Sequence, residues 1–260
     1  QQIEDDVSIN TSGESYVSWN WVANSGITAS NNDGSISSVV QANQTAGFSI
    51  VQFTPSSSSG TVGHGLSQAP EWIIMKDTSR SVLWLIYHKD VGADKYLQFT
   101  SASAVSNSTV FSTSPTSTVF DPGTGYTSAS SYGATVAYCW HGVDGFSKFG
   151  SYTGNGNSDG PFVYLGFKPR YIIFKSNTSA HWAIHDTIRQ PNNPNFKVLY
   201  ASLTNAESDN SNQGLDILSN GFKIRQSSGY NLNYSGVDTY YMAFAEHPFV
   251  GDGTSPVTAR

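Results

Sequence analysis

Four carboxylates, Asp144, Asp186, Asp216 and Glu246, are the side chains whose type suits hydrolytic chemistry. Glycan cleavage requires two such groups about 5–9 Å apart. Asp186 and Glu246 fall at the ends of strand-like runs, and the competing role for all four is to cap turns or to pair with Arg189 and Arg225. Nucleophilic catalysis finds abundant serines but no GxSxG elbow, and Cys139 sits in an apolar run that reads as core. As the only cysteine it forms no intrachain disulfide and supplies no Cys-based zinc site. Asn155-Gly156-Asn157-Ser158-Asp159-Gly160 has oxygen donors at alternate positions, as a Ca²⁺ loop does. Its twelfth position, however, is Gly166 where a bidentate glutamate is required, so the segment reads as a turn between strands. The six histidines are dispersed. His181 and His185 alone share a local segment, and four residues along a strand separate them by about 13 Å. The sequence therefore assigns no catalytic residue, no metal ligand and no cofactor.

Sugar recognition needs less equipment, because an aromatic face beside amides, carboxylates or imidazoles meets both the C–H faces and the hydroxyls of a sugar. Three groups have that composition: Trp140 with His141, Trp182 with His185 and Asp186, and Tyr230 and Asn231 with Asn233 and Tyr234. Trp182 reads as structural, since Trp84 holds the same place in an earlier stretch. The last group lies beside Ser227-Ser228-Gly229, where structural demand for a tyrosine is weakest, and reads as a recognition loop.

The elements that hold these residues follow from a composition low in charge (12% Asp, Glu, Lys and Arg) and rich in aromatics (13%). Such a chain can bury enough apolar surface to fold, and its formal charge of -6 gives no basic footprint for nucleic acid. No run approaches the roughly 18 apolar residues of a membrane span, and the first residues lack the pattern of a signal peptide. Apolar runs at Trp72–Met75, Leu83–Tyr87, Phe162–Phe167, Tyr171–Phe174 and Tyr240–Phe244 suit strands covered on both faces. Phe222–Arg225 and Val17–Trp21 alternate apolar and polar, as half-buried strands do. Turn signals such as Asp121-Pro122-Gly123 and Asn220-Gly221 separate the runs.

The chain also repeats itself. Gly47-Phe48-Ser49 recurs at Gly145-Phe146-Ser147, and Pro70-Glu71-Trp72-Ile73-Ile74-Met75-Lys76 recurs as Pro169-Arg170-Tyr171-Ile172-Ile173-Phe174-Lys175. Trp84–His88 matches Trp182–Asp186, and Thr135–Tyr138 matches Tyr241–Phe244 at a shift of 106 residues. The expected architecture is all-β: two tandem related β-sandwich, jelly-roll-like units at 47–144 and 145–260, preceded by a strand or linker at 1–46.

Several longer motifs, among them Thr61-Val62-Gly63-His64-Gly65-Leu66, Phe149-Gly150-Ser151-Tyr152-Thr153-Gly154-Asn155-Gly156, Leu218-Ser219-Asn220-Gly221-Phe222-Lys223-Ile224-Arg225 and Ala243-Phe244-Ala245-Glu246-His247-Pro248-Phe249, resemble the C-terminal module of tailed-bacteriophage and prophage tail fibre proteins. The resemblance runs from about residue 14 to 260. It implies a virion component at the distal end of a tail fibre, assembled in the host cytoplasm as a homotrimer and joined to the rest of the tail. It carries no catalytic or ligand residue onto this chain, and it makes the chain the tail end of a longer polypeptide. The functional expectation is non-catalytic adhesion to the bacterial surface, to polysaccharide or to an outer-surface protein, without nucleic acid or membrane insertion. A glycan depolymerase using an Asp/Glu pair and a purely structural tail module are the alternatives. Apolar surface beyond the need of one small core is expected between subunits.

Overall fold

The computed structural model describes residues 11–24, 27–55, 59–124, 133–209, 211–227 and 231–247. The protein is all-β. Its first strands are β1 (Ala29–Asn31), β2 (Ser38–Asn43), β3 (Phe48–Phe53), β4 (Val62–Gly63), β5 (Trp72–Asp77), β6 (Leu85–His88), β7 (Lys95–Gln98), β8 (Val105–Ser106), β9 (Val119–Phe120) and β10 (Thr135–Trp140). Then follow β11 (Ser147–Thr153), β12 (Phe162–Tyr164), β13 (Pro169–Ser176), β14 (Ala183–Asp186), β15 (Lys197–Tyr200), β16 (Ser208–Asp209), β17 (Leu215–Leu218), β18 (Gly221–Ile224) and β19 (Asp238–Ala245).

Two large antiparallel sheets dominate, in the orders β1-β2-β3-β10-β5-β6-β7-β8 and β11-β19-β13-β14-β15-β16. Two small sheets, β4-β9 and β12-β18-β17, flank them. Residue alternation sends each large strand's side chains to two different layers. Phe48, Trp72, Ile86 and Trp140 of the first sheet share one buried cluster with Phe149, Tyr171, Ile173, Tyr240, Met242 and Phe244 of the second. The intervening Val51, Ile73, Met75 and Ala137 face Val62, Phe111 and Phe120 on the outer side of the first sheet. On the far side of the second, Ile172, Phe174 and Ala243 pack on Val163, Ile217 and Phe222 of the three-stranded sheet. Four layers result, with both large sheets covered on both faces, which explains the continuous apolar runs.

The middle layer is the destination of the surplus aromatics. Trp72 lies 5.9 Å from Trp182 and 6.2 Å from Phe149, and the Trp182 Nε1–H donates to the Gln98 carbonyl at 2.6 Å. Much of the chain's aromatic surface is thus buried between its own two large sheets, while Tyr16, Val22 and Ile27 remain exposed. A fully buried Lys175 adds a polar tie: its Nζ donates to the carbonyls of Ala180 (2.6 Å), Thr178 (3.0 Å) and Ser101 (3.4 Å). Burial lowers its pKa to about 8.

Three expected strands are changed by the structure. The Leu83–Tyr87 run is a strand only from Leu85, and Leu83 and Trp84 before it are exposed rather than covered. Val17–Trp21 is not a strand. Its alternation is real but serves packing: Trp19 sits 5.1 Å from Tyr171, and Trp21 lies 5.3 Å from Phe244 and 6.2 Å from Trp140. The Phe162–Phe167 run is a strand only to Tyr164, ended by Gly166 at φ +88°. Nor are both its faces covered, since Phe162 and Tyr164 point outward while Val163 is buried.

Candidate functional site

A cleft of ≈ 910 Å³ opens where the ends of the two large sheets meet β12. It is lined by Gln44 and Thr45 from the β2–β3 turn, Glu71 before β5, Lys89 after β6, and His141 to Gly145 between β10 and β11. Lys148 of β11 and Tyr164 of β12 are also part of its wall. The turn is tight because Gly47 takes φ +62°, and a Cβ there would stand 2.7 Å from the His141 carbonyl oxygen. This lets the His141 N–H donate to the Gly47 carbonyl at 3.0 Å, bringing the β2–β3 turn to the β10–β11 loop.

The charges of the cleft are internally balanced. Glu71 Oε2 pairs with Lys89 Nζ at 2.6 Å, and its Oε1 accepts the Gly142 N–H at 3.1 Å. Lys148 Nζ donates to the Tyr164 carbonyl at 2.9 Å and stands 5.4 Å from the centre of the Tyr164 ring. That cation holds a ring that remains 60% exposed. A fixed, solvent-facing aromatic beside amides, a hydroxyl and charges of both signs is what polyhydroxyl recognition requires.

Of the residues singled out from sequence, His141 lies in this cleft, buried with its Nδ1 2.9 Å from the Gly142 carbonyl. Trp140 is turned into the middle layer, stacked on Phe48 at 4.8 Å. His185 is fully buried with Nδ1 on Asn195 Oδ1 at 3.1 Å, and Asp186 is held by Arg189 Nε at 2.5 Å and by the N–H groups of Ile188 and Arg189. Neither presents surface to a ligand. Tyr230 lies outside the described residues; Asn231 and Tyr234 are half-buried.

Asn233 is fully buried, and its donors and acceptor are taken. Its Oδ1 accepts the Asn155 N–H at 2.9 Å, and its Nδ2 lies 2.7 Å from the Gln226 carbonyl and 2.8 Å from that of Asn157. It clips the β11–β12 turn to the segment before β19, so Asn233→Ala should cost about 1–3 kcal/mol in urea denaturation. A loss below about 0.5 kcal/mol would remove that role. Within the 155–160 segment the side-chain oxygens are also engaged: Asn155 Oδ1 accepts the Asn157 N–H and Asn157 Oδ1 accepts the Asp159 N–H, each at 2.9 Å, and Asp159 Oδ1 pairs with Lys223 Nζ at 2.8 Å.

The carboxylates separate likewise. Asp216 pairs with Arg225, and Glu246 with Lys168 (2.7 Å) and Arg170 (3.0 Å). Burial opposes ionisation of Glu246, but these cations more than offset it and hold the carboxyl below its usual range. Asp144 alone of the four lines the cleft, where it is joined by Glu71. Among the described residues, no three His, Cys, Asp or Glu side chains gather as a metal site. No helix among them is long and apolar enough to cross a membrane.

Tyr164, Lys148 and Glu71 were missed by sequence reasoning. The spacing of Phe162 and Tyr164 was the available signal, since aromatics two residues apart share one face of a strand. A family model described as a domain of unknown function (DUF7483) matches residues 1–248. No curated protein and no solved structure matches the chain.

Proposed function

We propose that this chain, which belongs to the DUF7483 family of domains of unknown function, is a non-catalytic receptor-binding tip of a phage tail fibre that adheres to bacterial surface polysaccharide. The observation that carries the reading is the exposed Tyr164 ring, fixed by Lys148 in a polar cleft with balanced charges. Sugars offer apolar ring faces and hydroxyls, and this cleft offers a partner for each. The tail-fibre motifs supply the biological setting, a virion protein joined to the rest of the tail.

Two finer features belong to the same reading. The halves are copies of one unit, a view supported by matching strand orders: β3-β10-β5-β6-β7-β8 in one sheet and β11-β19-β13-β14-β15-β16 in the other. The chain assembles as a homotrimer, through surfaces such as the outward Tyr16, Val22 and Ile27 of its N-terminal segment. Light scattering should give three times the chain mass of 28.0 kDa, and a single-chain mass would overturn the trimer.

Binding to intact bacteria tests the function. Fluorescent protein should label a responsive strain from a broad panel, periodate treatment of the cells should abolish labelling, and protease treatment should not. Tyr164→Ala should reduce labelling about tenfold, the scale of one lost stacking contact. Labelling sensitive to protease but not periodate would replace polysaccharide by an outer protein, and unaltered labelling by the variant would remove the cleft from the account. One observation favours glycan hydrolysis as a second reading: Glu71 and Asp144 line the same cleft. Release of new reducing ends from the strain's polysaccharide, lost in Asp144→Asn, would establish it.

A further inference from the structure

We infer that the site takes an internal stretch of a linear, uncharged polysaccharide, laid along β12 across two rings, rather than a chain end or a single sugar. The inference rests on the glycan reading of the cleft and extends it beyond Tyr164. Phe162 is 47% exposed and Tyr164 60% exposed, on the same face of a strand whose intervening Val163 is buried at 9%. Two residues of strand set such rings about 7 Å apart, with their positions fixed by the buried residue between them. A rigid pair in register along one line suits a chain of sugar rings more than a compact ligand.

Among the described residues, none closes over the two rings, which stay about half exposed. β12 is the edge of its sheet, with β18 on one side only. Opposite Tyr164 stands Gly221, which has no side chain, and opposite Phe162 stands Lys223. Lys223 is occupied elsewhere, with Nζ 2.8 Å from Asp159 Oδ1 and 2.9 Å from the Gly160 carbonyl. Tyr164 belongs to the cleft as well as to the strand, so cleft and ridge are continuous through it.

The charge along that path selects an uncharged occupant. In the cleft Glu71 pairs with Lys89, and Asp144 and Lys148 add one charge of each sign, while beside β12 the exposed Asp159 lies 2.8 Å from Lys223 and 4.0 Å from Arg225, whose other partner is the buried Asp216. An anionic polymer would meet as many repelling as attracting groups, whereas hydroxyls can use both.

The test uses polysaccharide extracted from the strain that the protein labels, separated by ion exchange into uncharged and anionic fractions and cut by partial acid hydrolysis into mono- to hexasaccharides. Calorimetric titration should show binding of the uncharged fraction, with hexasaccharide at least about tenfold tighter than monosaccharide. In Phe162→Ala that gain with length should disappear while the weak binding of short fragments remains. Monosaccharide binding as tight as hexasaccharide, preference for the anionic fraction, or a wild-type length dependence in Phe162→Ala would each overturn the inference, leaving the glycan reading intact if Tyr164→Ala still weakens binding about tenfold. A change in solution mass of Phe162→Ala without a change in affinity would make Phe162 a subunit contact and also overturn it. Failure of every extracted fraction to bind would defeat the glycan reading itself.

Discussion

Trp72→Ala should lower unfolding free energy by about 3–5 kcal/mol, a large part of the ~5–15 kcal/mol typical of a folded domain. Trp72 is fully buried at the centre of the middle layer, paired in register with Trp140 and with His88, and it contacts Trp182 and Phe149 of the other large sheet. Truncation removes contacts on both sides, and neither sheet can collapse into the void without losing its own hydrogen-bonded register. Because the layer is shared, the loss should fall on both sheets together. Urea unfolding followed by far-ultraviolet circular dichroism should show one transition, displaced to lower urea. Two transitions, with only one displaced, would mean that each half has an independent core and would sink the shared-layer account. Trp84→Ala provides the contrast, since Trp84 is 38% exposed at the rim, and its replacement should cost under about 1 kcal/mol.

That contrast shows what the sequence could and could not convey. Trp84 and Trp182 each stand one residue before a strand, β6 and β14, yet one is at the rim and the other is fully buried. Local pattern identifies a strand and its two faces, but the covering of a face depends on which sheet lies over it. The same limit explains Val17–Trp21, whose alternation was legible and whose missing strand partner was not. It explains register too. Trp72 is opposite Trp140 and Tyr171 is opposite Phe244, so those strands correspond at a shift of 104 residues rather than 106. Two apolar runs can be slid by two residues without changing which face is greasy. In the site, Asn233 had a type suited to sugar binding, but five backbone and side-chain groups of the protein already surround its amide. Tyr164 was concealed by the opposite error, a run read as covered on both faces when its aromatic positions were the open ones.

Acid should unfold the protein between pH 6.5 and 4, because three histidines are buried in neutral form. His64, His88 and His185 are each fully buried, and burial lowers each pKa from 6.5 to about 4. The bonds to Thr116 and Asn195 favour the charged rings of His64 and His185 but do not offset burial, and the N–H groups facing Nδ1 of His64 and His88 oppose a second ring proton. His64 Nδ1 accepts the Leu66 N–H at 3.1 Å while Nε2 faces the Thr116 carbonyl, and His88 Nδ1 accepts the Asp90 N–H at 3.1 Å. In both rings the nitrogen left to protonate already faces a donor. In His185, Nδ1 faces Asn195 Oδ1, so the second proton must go to Nε2, a buried atom without a partner, on a ring that lies 6.0 Å from that of Phe174. Above pH 6.5 the rings are neutral whether the chain is folded or not, and they add no pH dependence. As pH falls below 6.5 the unfolded chain takes up protons that the folded chain refuses, so each ring removes about 1.4 kcal/mol per pH unit until its folded pKa is reached. Three together approach about 4 kcal/mol per unit, enough to exhaust ordinary domain stability within this window. Asp77 does not contribute there: burial opposes its ionisation, but bonds from Ser79, Arg80 and Gly133 hold its pKa down to about 2, so its stabilisation is lost only as pH falls from 3.8 through 2. Urea midpoints measured from pH 7.5 to 4.5 should fall steeply below 6.5, and His88→Asn, which keeps an acceptor for the Asp90 N–H, should reduce the slope by about one third. Stability that stays level down to pH 4.5 would show that the buried rings accept their charge in the folded state, and with it the neutral-histidine account would fail.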